Sequence, residues 1–464
     1  MPTKPDSFQK AVVEAPVEAR LIVEAGPGTG KTHTACLRVA HLIESGVSPD
    51  GLMLISFTRT AVAEIQSRIA AHLERPEDAD RVWLSTMDSM SYQFLLGLRN
   101  GDRSAFLGSY DENIQTLAQK IKEKDADIIE SLKMIRHLIV DEAQDLVRDR
   151  AELIIEIIKA LPKDRGITVF VDPLQAIYGF TSEQDGVVAE GDPRHAAERL
   201  RENEAGEFKY KELKKIHRAK QEKLMELLGG IPRSILSAEG TPLDKRKKLV
   251  ETIKLQSKSH NNLFNISDAK GRADALFLYR NRYAALTTSS YASSDRLEHR
   301  LRVGGTPVCA KPWIGRVLWG FEEGELSKDA FLRLWESKKA DSLAEGETAL
   351  AAWDCLLRSA EGRRGKVEIT RLRALLCRST PPLHLLRNTL GTTGPITGTI
   401  HASKGREANL VYLTLPQVWE DGGKRPFKDE ENRVIYVGAS RAADELHVSL
   451  WESGASSRGR SGRS

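Results

Sequence analysis

Residues Glu24–Thr34 read "EAGPGTGKTHT", and they follow the apolar run Leu21-Ile22-Val23 without a break. Glycines at 26, 28 and 30 let successive backbone N–H groups turn inward on an anion, with no Cβ to clash. The run before them predicts a strand over Arg20–Val23, and the pattern after them a helix over Thr32–Ser45. Strand, glycine loop and helix together make a phosphate-binding loop, because the helix N-terminus also turns partial positive charge on the anion. Ala25, Gly26, Pro27, Gly28, Thr29 and Gly30 would form the cradle, with His33 alongside. Lys31 suits the β- and γ-phosphates and Thr32 suits Mg²⁺, so ATP and Mg²⁺ are the expected ligands. One departure is Ala25, where the general motif has glycine.

Outward from this loop, the strand candidates are Leu52–Phe57, Val82–Ser85, Leu138–Val140 and Ile167–Val171, with helical patterns such as Arg59–Arg75 between them. Strands alternating with helices imply right-handed βαβ units and a parallel sheet with its ligands at the carboxyl ends of the strands. "HLIVDEAQDL" places Asp141 and Glu142 at such an end. Asp141 suits a hard cation, and Glu142 suits orienting and deprotonating a water. A polar, helix-leaning interval, Met90–Ile135, reads as a small inserted subdomain. The charge-dense stretch Arg201–Lys223 leads into a second region, with strands at Ala275–Tyr279, Leu410–Leu415 and Leu446–Leu450 and a mainly helical interval from Lys311 to Thr393.

The totals restrict this reading little. The chain has 464 residues, and its 69 basic and 65 acidic side chains leave a net charge of +4, which neither demands nor excludes a nucleic-acid partner. Cys36, Cys309, Cys355 and Cys377 show no paired spacing, so neither a disulfide framework nor a zinc site is expected. No apolar stretch is long enough to span a membrane, and the expected location is the cytoplasm.

Further words recur in order along the chain: "FQKAV" with Gln9, "SFTRTAVAEI" (Ser56–Ile65), "STMDS" (Ser85–Ser89) and "DEAQD" (Asp141–Asp145). They continue as "VDPLQAIYGF" (Val171–Phe180), "LKKIHRA" (Leu213–Ala219), "TIHASKGREANLVYL" (Thr399–Leu413) and "ENRVIYVGASRAADEL" (Glu431–Leu446). In this series the chain resembles the UvrD/Rep-type helicases of superfamily 1, as a compact and divergent member. The resemblance implies an α/β fold of two RecA-like parallel-sheet domains with small, mainly helical insertions. It implies a first domain over 1–88 and 137–205, interrupted by an insertion at 89–136. A second domain would cover 206–310 and 397–452, interrupted at 311–396, with a basic tail over 453–464.

The resemblance also assigns roles. Gln9 would read the adenine edge, His217 would stack on the base and Glu407 would lie near the sugar. Gln175 would link the γ-phosphate to the DNA track, with Arg218 and Arg441 as the two γ-phosphate sensors; always-charged guanidinium groups suit that task. Tyr178 and Phe180 would stack on bases of single-stranded DNA, while Thr58, Arg59, Thr86, His401 and Ser403 would contact the strand. The implied activity is ATP-driven 3′→5′ movement on single-stranded DNA or a 3′-tailed duplex, with strand separation. The second reading is a DNA-gated ATPase acting with a partner nuclease, favoured by the short insertions. Departures include Asp88 where histidine is usual, His217 where tyrosine is usual, and Thr181 where arginine is common.

Overall fold

A strand buried on both faces must be apolar along its whole length, because helices cover it above and below. "LIVEA", "LMLIS", "HLIV" and "ITVFV" come close to that condition, with one polar residue each: Glu24, Ser56, His137 and Thr168. In the computed structural model they form the centre of a six-stranded parallel sheet. The structure describes residues 4–56, 59–97, 109–177, 192, 194–219, 221–260, 264–269, 271–303, 309–344, 347–377, 382, 385–387, 389–391, 393–416 and 428–451.

The strands of this first sheet are β1 (Arg20–Ala25), β2 (Leu52–Ser56), β3 (Trp83–Thr86), β4 (His137–Val140), β5 (Gly166–Val171) and β6 (Lys209–Leu213), in the spatial order β3-β2-β4-β5-β1-β6. Their side chains alternate between two cores. Ile22, Met53, Ile55, Val140 and Val169 face one layer of helices. Leu21, Val23, Leu54, Ile139 and Phe170 face the other. Since β5 lies between β1 and β4, the loops after these three strands come out side by side at one edge of the sheet.

Two expectations change here. A boundary after residue 205 would cut through this sheet, because β6 pairs in parallel with β1 (Val23 opposite Lys211). The chain divides instead into two compact units, Met1–Leu249 with Phe427–Tyr436, and Val250–Pro426 with Val437–Ser464. The interval 89–136 forms the helices Met87–Gly97, Tyr110–Lys122 and Ala126–Lys133. Phe94, Ile114, Leu117 and Ile128 share the first unit's core, so the described residues of the interval build a face of the sheet. Asp88, the departure noted above, pairs with Arg150 at 2.9 Å, and Arg150 also meets Asp111 at 3.0 Å. Asp88 therefore ties this face together.

The second unit holds another six-stranded parallel sheet: β7 (Lys258–His260), β8 (Ala275–Tyr279), β9 (Arg300–Arg302), β10 (Ile396–Thr399), β11 (Ala408–Pro416) and β12 (Ala442–Trp451). Their spatial order is β7-β12-β11-β8-β10-β9. Between β9 and β10, the helices Pro312–Leu318, Lys328–Ser337, Ala349–Ala360 and Ile369–Leu376 enclose a separate core around Trp313, Phe331, Trp335 and Trp353. Trp313 resolves its buried N–H by donating to Glu347 at 2.9 Å. Among the described residues, no helix is long and apolar enough to cross a membrane.

Arg38, fully buried in the helix Lys31–Glu44, donates to Val13 O at 2.9 Å, to Pro16 O at 2.7 Å and to Ala15 O. It thereby satisfies carbonyls where the helix Ser7–Val13 ends. Arg38→Met would take this donor from the Val13 and Ala15 carbonyls, while Pro16 O keeps its bond from Ala19 N at 3.1 Å, for an expected loss of about 2–4 kcal/mol and a lower unfolding temperature by calorimetry. An unchanged transition would contradict this account.

Candidate phosphate site and its carboxylate network

The loop after β1 has the left-handed glycines its task requires. Gly28 has φ 75° and Gly30 has φ 81°. A Cβ on Gly28 would sit 2.8 Å from Arg218 Cβ, and one on Gly30 would sit 2.6 Å from Gln9 Nε2. Both positions therefore need glycine for conformation, and Gly28 needs it for space as well, since the atom a Gly30 Cβ would meet is the movable end of Gln9. Ala25 does not: it is the last residue of β1, paired with Leu213, and is 1% exposed. The substitution at the motif's first position costs nothing in such extended backbone.

Gln9 lies against this loop for a local reason. Asp6 caps the helix Ser7–Val13 in a capping box, and Gln9 Oε1 accepts from Asp6 N at 3.1 Å. That leaves Gln9 Nε2 to donate to Thr29 O at 3.1 Å. His217 Nε2 meets the second Asp6 oxygen at 2.7 Å, and His217 N donates to Gly28 O at 2.7 Å. Gln9, His217 and Arg218 thus border the glycine loop within the first unit.

Lys31, at the first turn of the helix Lys31–Glu44, lies 2.8 Å from Glu142 Oε2, and Thr32 Oγ1 donates to Asp141 Oδ2 at 3.2 Å. Neighbours along a strand point to opposite faces, so Asp141 and Glu142 could not both face the loop after β1 in extended backbone. Glu142 departs from it, with φ 57° and ψ 42°. For a residue with a Cβ, this left-handed turn costs roughly 1–3 kcal/mol and needs partners to hold it.

The electrostatics follow from burial. Burial opposes the charge on Lys31, but Glu142, Asp141 and Asp172 together hold its ammonium above the ordinary lysine range. Burial, then repulsion from Glu142, raises Asp141 to about 6. Asp172 is also raised, by burial against the opposing pull of Lys31. Thr32 and Asp141 offer hard oxygens beside the anion loop, a donor set that fits Mg²⁺.

Two buried side chains that the sequence reading left unassigned complete the arrangement. Gln144 Nε2 donates to Glu142 Oε2, while Gln144 Oε1 accepts from Asp172 N at 2.9 Å. Asp172 Oδ2 accepts from Gln175 Nε2 at 2.6 Å. Both residues stand inside the quoted words "DEAQD" and "VDPLQ", which was the available signal. Arg433 Nε donates to Ala176 O at 2.7 Å, next to Gln175.

The remaining expected residues are divided. Thr86 is buried and accepts from Ser89 N at 3.2 Å, capping the helix Met87–Gly97. Of Arg59 only its place, at the start of the helix Arg59–Ala70, is described; Thr58, Tyr178 and Phe180 lie outside the described residues. Glu407, His401, Ser403 and Arg441 belong to the second unit. Glu407 is exposed and His401 half-buried, while buried Ser403 donates to Ile400 O at 2.7 Å. Arg441 is 2% exposed; its guanidinium donates to Val437 O at 3.0 Å, Arg406 O at 3.3 Å and Ser440 Oγ at 2.9 Å.

Residues 6–133 match the family model for the UvrD/REP helicase N-terminal domain. The ATP-dependent DNA helicase PcrA of Staphylococcus epidermidis is 39% identical over 87 residues, covering 18% of this chain and 11% of that protein. The exonuclease/helicase subunit RexA of Lactococcus lactis is 27% identical over 189 residues, covering 36% of this chain and 15% of that protein. The chain therefore spans between about a tenth and a sixth of the length of these relatives. Among solved structures, the Pif1 helicase of Candida albicans is similar at 15% identity with a TM-score of 0.47, covering 97% of this chain and 95% of that one.

Proposed function

We propose that this chain, whose N-terminal region is of the UvrD/REP helicase type, is an ATP-hydrolysing motor on single-stranded DNA. The observation that carries the reading is the joining of Lys31, Glu142, Gln144, Asp172 and Gln175 beside a glycine loop and a helix N-terminus. A cation, a water-orienting carboxylate beside it and a glutamine, Gln175, joined to that carboxylate through Asp172 and Gln144 suit phosphoryl transfer to water.

In this mechanism the backbone N–H groups of residues 26–30 and the helix N-terminus hold the β- and γ-phosphates. Lys31 exchanges its carboxylate partners for phosphate oxygens. Thr32 and Asp141 would hold Mg²⁺, which supplies charge neutralisation on the phosphates when bound. Glu142 orients a water whose oxygen bonds to the γ-phosphorus. The bond from that phosphorus to the bridging oxygen breaks, ADP leaves with that oxygen, and Glu142 accepts the proton from the water. Arg218 and Arg441 act as the γ-phosphate sensors, as the resemblance implies. Arg441 now donates to Val437 O and Arg406 O, and binding a phosphate would draw on these donors.

Tyr178 and Phe180 serve as the stacking pair, and the direction is 3′→5′; both assignments rest on the family resemblance. Steady-state ATP turnover with and without an oligothymidylate tests the reading, and stimulation of about tenfold or more is expected. Displacement from 3′- and 5′-tailed duplexes tests the direction, and unwinding from the 5′ tail alone would reverse it. The second reading, a DNA-gated ATPase serving a nuclease, draws on RexA's description as an exonuclease/helicase subunit. Stimulated ATP turnover without strand displacement, until a nuclease is added, would favour it.

A further inference from the structure

Gln144 lies between two acid-bearing loops, one after β4 and one after β5, and is 1% exposed. A carboxamide has a donor end and an acceptor end, and here each is used on a different loop. The nitrogen donates to Glu142 Oε2; the oxygen accepts from Asp172 N at 2.9 Å. Asp172 then fixes its own loop, accepting from Leu174 N at 3.1 Å and from Gln175 Nε2 at 2.6 Å.

We propose that Gln144 is a positioning residue for ATP hydrolysis, a rigid link that passes the position of the Gln175 loop to Glu142. The proposal rests on the ATPase reading above. Glu142 occupies a left-handed backbone conformation, which persists only where neighbours hold it. Lys31 and Gln144 both hold it in the present structure. When a triphosphate draws Lys31 to itself, Glu142 gives up that ion pair, and the Gln144 bond continues to aim the carboxylate. The far end of the link is anchored too, because Arg433 holds Ala176 O at 2.7 Å. A shift of the Gln175 loop therefore reaches Glu142 through two hydrogen bonds, with no change at the glycine loop.

The chemistry of the link dictates the variants. Leucine fills the same volume and can bond neither loop. Glutamate keeps the acceptor, loses the donor and repels Glu142. Steady-state ATP turnover of the full chain with oligothymidylate, binding of a fluorescent non-hydrolysable ATP analogue, and the unfolding temperature together give the test. For Gln144→Leu, analogue affinity should stay within about threefold of wild type while kcat falls about thirtyfold or more. Gln144→Glu should fall further. Adding Gln144→Leu to Glu142→Gln should cost no further turnover, since both changes remove one function. Should leucine lower the unfolding temperature markedly, Gln144→Met gives the same comparison, and the split between affinity and kcat is expected there. Wild-type kcat in the folded leucine or methionine variant, or multiplicative losses in the double variant, would overturn the link. A wild-type chain that hydrolyses no ATP would instead overturn the parent reading, so the two failures are distinct.

Discussion

Lys31→Ala is expected to reduce ATP turnover at least about a thousandfold, to weaken ATP binding and to lower the unfolding temperature of the ligand-free protein. The catalytic loss follows from the role of a cation that neutralises charge on the transferring phosphoryl group. The loss of stability follows from the neighbours. Lys31 is 8% exposed, and Asp141 and Asp172 are 3% and 2% exposed, with Glu142 beside them at 2.8 Å from the ammonium. Removing the cation leaves buried carboxylates with less countercharge, and breaking such an arrangement costs about 3–5 kcal/mol. Lys31→Arg keeps the charge, so it should recover much of the stability. A wide planar fork does not replace a compact ammonium at a phosphate cradle, so it should recover little of the turnover. A coupled-enzyme assay and calorimetry measure both. An alanine variant that keeps more than about a tenth of wild-type turnover would refute the role given to Lys31.

The strand, glycine loop and helix at residues 20–44 were legible in the sequence because they are local: they adjoin, and each constrains its neighbour's backbone. The capping box from Asp6 to Gln9 is local in the same way, and it explains how Gln9 comes to lie against Thr29. β6 escaped because of its composition. "KYKEL" has four of its five residues exposed, so neither an apolar run nor an alternation marks it as a strand. Its charges read as the lead into a second region, whereas charged side chains are what protect an edge strand from unwanted pairing. β7, "KSH", is hidden for the same reason. Gln144 and Asp172 stood in the quoted words, but their partnership depends on β4 and β5 being neighbours in the sheet. That adjacency is fixed by the fold and is not readable from residue order.

Asp141→Asn is expected to abolish hydrolysis and yet raise the unfolding temperature of the ligand-free protein at pH 8, opposite in sign to the loss predicted for Lys31→Ala. Burial and the Glu142 charge raise Asp141 to about 6, from an ordinary 3.8. A folded-state value above the unfolded one means that ionisation opposes folding. Stability is lost as pH rises from about 4 to about 6, and the full cost of roughly 3 kcal/mol is present above that range. Asparagine removes this cost. It also loses something, because Asp141 accepts from Thr32 Oγ1 at 3.2 Å and from Glu142 N at 3.0 Å, and a carboxamide has one oxygen to serve both. Subtracting about 1 kcal/mol for that hydrogen bond leaves a net gain of about 1–2 kcal/mol. The gain should shrink as pH falls towards 4, where Asp141 is protonated in the wild-type fold. ATP with Mg²⁺ should stabilise the wild type far more than the variant, because asparagine offers the cation a poorer ligand. Calorimetry from pH 4 to pH 8, with and without nucleotide, measures each part. If Asp141→Asn melts no higher than wild type at pH 8, or its advantage persists unchanged at pH 4, then charge on Asp141 is not the source of the strain at this site.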